Sequence, residues 1–305
     1  MFLDTFKGLS PESQKTMLEL GPRWSDDIVA NRKIVIDVYT PVLAKRSLGG
    51  IGLKKNISYG PHSRQVLDIY HPKENQRTPS AVILFVHGGA FVRGDKDANE
   101  HIYANFLTYF VRKGFVGINL EYRQAPEAPF PEGSKDIDLS VKWLIEHAKE
   151  LHIDPEKIFL VGHSAGGSHA ASYVLDPHVR PQTGHQIKGL ILISARLKAD
   201  VRADNPNAHG VKAYYGDDLS LYESKSPLTY CDHLDIPLLI AVSEFENPGL
   251  DVYASELFYK VSQKKWQSPA FIQVPKHNHT SIVAHLDTEE ESFGLFIETF
   301  IRAAL

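Results

Sequence analysis

Gly162-His163-Ser164-Ala165-Gly166 directly follows the apolar run Lys157-Ile158-Phe159-Leu160-Val161. The run reads as a strand, and the segment after Ser164 reads as a helix. A chain that passes from strand to helix through so short a turn strains its serine and exposes the hydroxyl at the sheet's C-terminal edge. A serine held in that way is a nucleophile. Glycines at 162 and 166 remove side chains that would collide across the turn. The helix starting there aims backbone N–H groups at charge that forms beside the serine. A G-x-S-x-G pattern alone also fits a turn that merely packs, so the serine's partners decide the chemistry.

Three partners are in place. His87-Gly88-Gly89-Ala90-Phe91 follows the apolar run Ala81 to Val86. Its consecutive glycines let the backbone approach a ligand, and the N–H groups of Gly88, Gly89 and Ala165 form a candidate oxyanion hole. Pro275-Lys276-His277-Asn278-His279-Thr280 follows the last strand and offers a base. His279 is the choice, lying deeper in the loop where Ser281-Ile282-Val283 begins a helix-like run; His277 is the runner-up. The loop Ser243 to Asp251 must supply an acid that orients the imidazole. Glu246 is the choice, because Asn247-Pro248-Gly249 turns the chain just after it. Glu244, at the strand end, and Asp251, at a helix start where a carboxylate can cap, are the alternative acids. The order Ser164, Glu246, His279 fits a nucleophile, acid and base on a strand–turn–helix scaffold. No metal site is expected, since His277-Asn278-His279 lacks further ligands in the sequence.

Composition excludes other classes. The chain has 305 residues, 43% apolar and 23% charged, with a formal net charge of -4. No basic footprint for nucleic acid or an anionic membrane exists. Met1-Phe2-Leu3-Asp4-Thr5-Phe6-Lys7 lacks a basic region followed by an apolar one, so no leader is expected there. No apolar stretch approaches the roughly 20 residues of a membrane span. The single cysteine, Cys231, forbids an intrachain disulfide and suits a cytoplasmic location. Its neighbours Tyr230, Asp232 and His233 lack the helix-start setting of a nucleophile, so an inert thiol is expected.

The elements that must position these groups alternate. Residues 11 to 47 read as helical, and a hairpin-like pair flanks Gly60-Pro61-His62. Strands are then expected at 81–86, 115–120, 157–161, 187–193, 237–242 and 270–274. Helices are expected at 101–113, 134–151, after Ser164, at 250–261 and at 291–304. Buried strands alternating with helices imply an α/β fold, a mostly parallel sheet with helices on both faces. Ala195 to Asp235 breaks the rhythm and reads as an insertion over the site. The expected organisation is a helical cap segment over 1–50 and a catalytic domain over 51–305, with residues 195–235 as a cap insertion. Tyr122, Arg123 and Glu127 read as a polar network tying their loop to the helix holding Asp136. Phe91, Val92, Trp24 and Tyr215 fit either a substrate pocket or ordinary core.

Taken together, His87-Gly88-Gly89-Ala90-Phe91, Glu121-Tyr122-Arg123-Gln124-Ala125-Pro126-Glu127 with Phe130-Pro131, and Gly162-His163-Ser164-Ala165-Gly166-Gly167 resemble the α/β-hydrolase carboxylesterases of the hormone-sensitive-lipase type. The resemblance runs from about residue 55 to the C-terminus. The tail, Ser243 to Pro248 with His277-Asn278-His279, is also similar to the arylformamidase branch and to feruloyl-esterase-like enzymes. The resemblance implies an eight-stranded α/β-hydrolase sheet with a small helical cap. It implies Ser164 as nucleophile, Glu246 as acid, His279 as base, and no cofactor. Two departures stand out: glutamate replaces the usual aspartate, and Ser194-Ala195-Arg196-Leu197 replaces a turn richer in glycine or proline. The expected activity is hydrolysis of a small carboxylic ester. An N-formylkynurenine formamidase is the alternative, and a non-catalytic ligand-binding protein is the alternative of another class. Edge strands of such a sheet also offer a surface for a homodimer.

Overall fold

The computed structural model describes residues 3–74, 77–97 and 99–305. Met1 and Phe2, where the leader expectation and the 1–50 segment begin, lie outside the described residues. The elements run α1 (Pro11–Leu20), a 3-10 turn at Gly21–Arg23, α2 (Ile28–Leu43), β1 (Ile51–Ser58), β2 (Val66–Pro72), β3 (Ser80–Val86), α3 (Ala104–Val111) and β4 (Val116–Leu120). Then come α4 (Glu132–Glu146), α5 (Ala148–Leu151), β5 (Ile153–His163), α6 (Ala165–Leu175), β6 (Gly189–Ile193), α7 (Ala208–Tyr215) and α8 (Tyr222–Lys225). The chain closes with β7 (Leu238–Phe245), α9 (Leu250–Lys265), β8 (Ala270–Asn278), α10 (Ser281–Ala284) and α11 (Ser292–Ala304).

The eight strands form one sheet in the order β1-β2-β4-β3-β5-β6-β7-β8. β1 pairs antiparallel with β2, and β2 with β4; every later pairing is parallel. Alternation along the strands explains how one sheet serves two cores. Val82, Leu84, Val86, Leu160 and Leu192 face α4, α6 and α9. Ile83, Phe85, Phe159, Val161 and Ile193 face α1, α2, α3 and α11. Strands buried on both faces read as continuous apolar runs, which is why the central sheet is legible in the sequence. This is the α/β-hydrolase fold expected above.

Several bounds differ from the sequence reading. The stretch 11–47 is two helices, because the 3-10 turn after Leu20 redirects the chain before Asp27 caps α2 by accepting from the Ala30 N–H at 3.0 Å. β8 continues four residues past Val274 and carries His277 and Asn278. Residues 195–235 hold α7, α8 and 3-10 turns rather than open loop. Their weak periodicity reflects helices of eight and four residues, too short to show a stripe. Arg123 does tie to Asp136, donating from Nη2 at 2.6 Å and from its backbone N–H at 2.8 Å. Glu127 faces His62 at 3.4 Å instead of the helix. Among the described residues no helix is long and apolar enough to cross a membrane.

Candidate active site

β5 ends at His163 and α6 begins at Ala165, so Ser164 alone makes the turn. It sits at φ 57°, ψ -120°. A non-glycine residue there costs on the order of 1–3 kcal/mol and persists only where its surroundings hold it. The surroundings are close-fitting. The Ser164 N–H donates to the Ile193 carbonyl at 3.1 Å, and its carbonyl accepts from Gly167 and Arg196 at 3.0 and 3.1 Å. A Cβ on Gly166 would lie 2.2 Å from the Val86 carbonyl oxygen, and one on Gly162 would lie 2.6 Å from that of Gly166. Both motif glycines are therefore required by backbone against backbone.

The serine faces a hydrogen-bonded chain. His279 Nε2 lies 3.0 Å from Ser164 Oγ, and His279 Nδ1 lies 2.8 Å from Glu246 Oε2. The second Glu246 oxygen accepts from the Ser243 N–H at 3.0 Å, the Ser243 hydroxyl at 2.8 Å and the Ser194 hydroxyl. Burial alone would raise the Glu246 pKa. The His279 charge and hydrogen bond, with the two serines, outweigh burial and hold the carboxyl down at about 2. Ser194, in the segment that departs from the family pattern, is thus one of the groups that fix the acid.

The runners-up are occupied elsewhere. His277 is buried with Nε2 2.9 Å from Glu290 Oε1 and Nδ1 3.0 Å from Ser281 Oγ. Glu290 in turn accepts from the Phe6 N–H at 2.7 Å, so this pair anchors the N-terminal segment. Glu244 accepts from the Lys276 N–H at 2.6 Å. Asp251 lies in the first turn of α9. His163, beside the serine, is held neutral: burial, and then the like charge of His279, lower its pKa to about 3. Its Nε2–H donates to the His279 carbonyl at 2.9 Å, which fixes the base's backbone. Cys231 is buried and its thiol is pushed up by burial, consistent with the inert thiol expected.

Gly88, Gly89, Ala90 and Ser164 line one cavity of about 100 Å³. Gly89 has φ 155°, and a Cβ there would overlap the Arg93 carbonyl oxygen at 1.6 Å. The Gly88 N–H faces the Tyr103 hydroxyl. The N–H groups of Gly89, Ala90 and Ala165 find no acceptor among the described residues.

Four side chains from the N-terminal segment, Trp24, Ile28, Arg32 and Ile36, cover this cavity, and Asn207 reaches it from residues 195–235. Trp24 is the one pocket candidate from the sequence that lines it. Phe91, Val92 and Tyr215 do not: they belong to a separate packed cluster with Tyr214, Ala125 and Val211. Phe91 stacks on Tyr214 with ring centroids 4.7 Å apart, and it meets Tyr215 edge-on at 5.4 Å. Left-handed φ at Ala90 and Phe91 turns the chain so that the glycines, not the following side chains, face the serine. Sequence reasoning missed Arg32, Arg93 and Asn207. The spacing of Ile28, Arg32 and Ile36, four apart on one helix face, is the signal that could have found Arg32.

Likeness to known proteins agrees with this geometry. The BD-FAE family profile matches residues 67–178. Lipase 2 of Moraxella sp. is 40% identical over 98 residues, which is 32% of this chain and 22% of that protein. Versiconal hemiacetal acetate esterase of Dothistroma septosporum is 24% identical over 247 residues, 75% of this chain and 74% of that one. The chain spans from 22% to 48% of the length of the first curated relatives it matches. Among solved structures, a bacterial heroin esterase superposes with a TM-score of 0.72 at 25% identity, over 99% of both chains. Fold, motifs and these likenesses together show an α/β-hydrolase fold whose residues 67–178 match the BD-FAE profile and whose relatives include lipases and carboxylesterases.

Proposed function

We propose that the chain is a serine carboxylesterase that hydrolyses small esters through an acyl-enzyme. The observation that carries this reading is the unbroken chain Ser164–His279–Glu246 at a strained strand-to-helix turn. His279 Nε2 takes the hydroxyl proton as Ser164 Oγ attacks the ester carbonyl. Glu246 stays ionised, holds Nδ1–H and stabilises the imidazolium. The tetrahedral oxyanion rests on the free N–H groups of Gly89, Ala90 and Ala165; Gly88 contributes once it releases Tyr103. Each such donor contributes on the order of 3 kcal/mol to the transition state. His279 then protonates the leaving alcohol. It next activates a water that frees the acid. Every step uses groups of this chain and calls on no cofactor.

A cavity of about 100 Å³ suits a short acyl group. Acetyl esters are therefore expected to turn over faster than octanoyl esters. Ser164→Ala should lower kcat/KM on p-nitrophenyl acetate by roughly 10⁴-fold or more while the fold persists by circular dichroism. Activity within tenfold of the parent would refute the assignment. Adding N-formylkynurenine to the ester panel separates the formamidase alternative: a formamide rate above that of every ester would replace the ester reading.

A further inference from the structure

The cavity above Ser164 carries a charge that the chemistry of ester cleavage does not use. Its lining includes two guanidinium groups, Arg32 and Arg93, and no aspartate or glutamate among the described residues. This stands against a chain in which acidic residues outnumber basic ones, 37 to 33. Arg32 sits mid-helix in α2 between Ile28 and Ile36, which line the same cavity. That spacing places it on the face turned toward the serine, where packing alone calls for a third apolar side chain.

Arg32 is also unspent. Its guanidinium makes no hydrogen bond and no ion pair among the described residues, although Asp26, Asp27 and Asp37 are near it in sequence. Asp26 pairs with Arg23 and Asp37 with Lys33, while Asp27 caps its own helix. Arg93, more exposed, spends one N–H on Asn207 Oδ1 at 3.0 Å and has no carboxylate partner among the described residues. Partial burial, and then the Arg32 charge, hold the Arg93 guanidinium below its ordinary range. The Arg32 charge also reaches His163 and Tyr103, the neighbours of Ser164 and Gly88. Two like charges close enough to disfavour one another, with no carboxylate among the described residues that line the cavity, are stabilised when a bound anion supplies one. Guanidinium is the side chain suited to planar, bidentate pairing with a carboxylate.

From this arrangement we infer that the physiological substrate is an anionic ester whose carboxylate pairs with Arg32, assisted by Arg93, while its ester carbonyl meets Ser164. The inference rests on the esterase reading and names its substrate class. The carboxylate belongs either to the acyl half or to the alcohol half of the ester, and the two arms of the test tell them apart.

Two matched pairs are assayed at low salt: 4-acetoxybenzoate against its methyl ester, with the charge on the alcohol side, and monophenyl succinate against methyl phenyl succinate, with the charge on the acyl side. The charged member of one pair is expected to be favoured at least tenfold in kcat/KM, chiefly through KM, with the margin shrinking as salt screens it. Arg32→Met should collapse that ratio and Arg32→Lys should retain part of it. Equal or better rates for the neutral members of both pairs would overturn the inference. So would a ratio that Arg32→Met leaves in place. Binding of the same charged and neutral esters to the Ser164→Ala protein, followed by calorimetry, is independent of turnover. Tighter binding of a charged ester without hydrolysis in the parent would sink the esterase reading and keep the anion site. Hydrolysis with no preference in either measurement would do the reverse.

Discussion

Glu246 shows how one residue is selected from a loop holding three carboxylates. Only its oxygens meet both the imidazole and two serine hydroxyls. With the folded pKa held at about 2 against an ordinary 4.5, the charged form is favoured by folding. The sign follows: its contribution to stability is fully present above about pH 4.5 and is lost as pH falls from there toward 2. Glu246→Gln is therefore expected to be less stable than the parent at pH 7, with the gap narrowing between pH 4.5 and 2 in urea melts. A gap that widened on acidification would contradict the assignment. The same variant should lose roughly 10³-fold or more in kcat, because a neutral amide neither fixes the tautomer nor stabilises the imidazolium. That Ser164, Glu246 and His279 meet was legible in the sequence, since each follows a strand end. The sequence left Phe91, Val92 and Tyr215 between pocket and core, because an apolar side chain looks the same in either; the structure places them in the core cluster. The backbone turn at Ala90 and Phe91 that separates the two leaves no sequence signature beyond the glycines before it.

At the scale of elements, the site is a junction of strand ends with short-range backbone contacts. Gly166 packs its Cα against the backbone of Val86 and His87, which joins the start of α6 to the end of β3. Gly166→Ala is expected to cost about 1–3 kcal/mol or more in denaturant melts, since neither backbone can yield without moving the other. It should also lower kcat, because the turn at Ser164 and the loop that carries Gly88 and Gly89 shift together. An alanine variant as stable and active as the parent would show that the elbow is looser than drawn. Gly89→Ala meets the Arg93 carbonyl at a positive φ and is expected to fall in kcat with little change in KM for neutral esters, which stopped-flow or steady-state kinetics would check. The central strands were legible because both their faces are buried. The ends were less so: β8 continues through His277 and Asn278, whose side chains form polar pairs that carry no apolar pattern. The short helices of 208–225 were invisible for the converse reason, being too brief to display a period.

Across the whole molecule, the N-terminal helices close the site that the sheet opens. Trp24 is buried, and its indole N–H donates to Asn247 Oδ1 at 2.9 Å, next to the residue that orients His279. Trp24→Phe keeps most of the ring but leaves that buried oxygen without a donor. It is expected to cost about 1–3 kcal/mol in stability and to raise KM more than it lowers kcat, measured by urea melts and steady-state kinetics. A lower kcat at unchanged KM would place Trp24 with the reacting groups instead. Long-range closure of this kind is poorly legible in a sequence, because helix periodicity reports that a face is covered without naming what covers it. The pairing that matters most is long-range too: Ser164 and His279 are 115 residues apart and meet at 3.0 Å. Titration with diethyl p-nitrophenyl phosphate tests it most directly, since only an activated serine expels the nitrophenolate. The expected result is one equivalent of nitrophenolate released per chain, with the phosphoryl adduct on the Ser164 peptide by mass spectrometry and labelling abolished in His279→Ala. Labelling at another residue, or unchanged labelling of Ser164 without His279, would contradict the assembled triad.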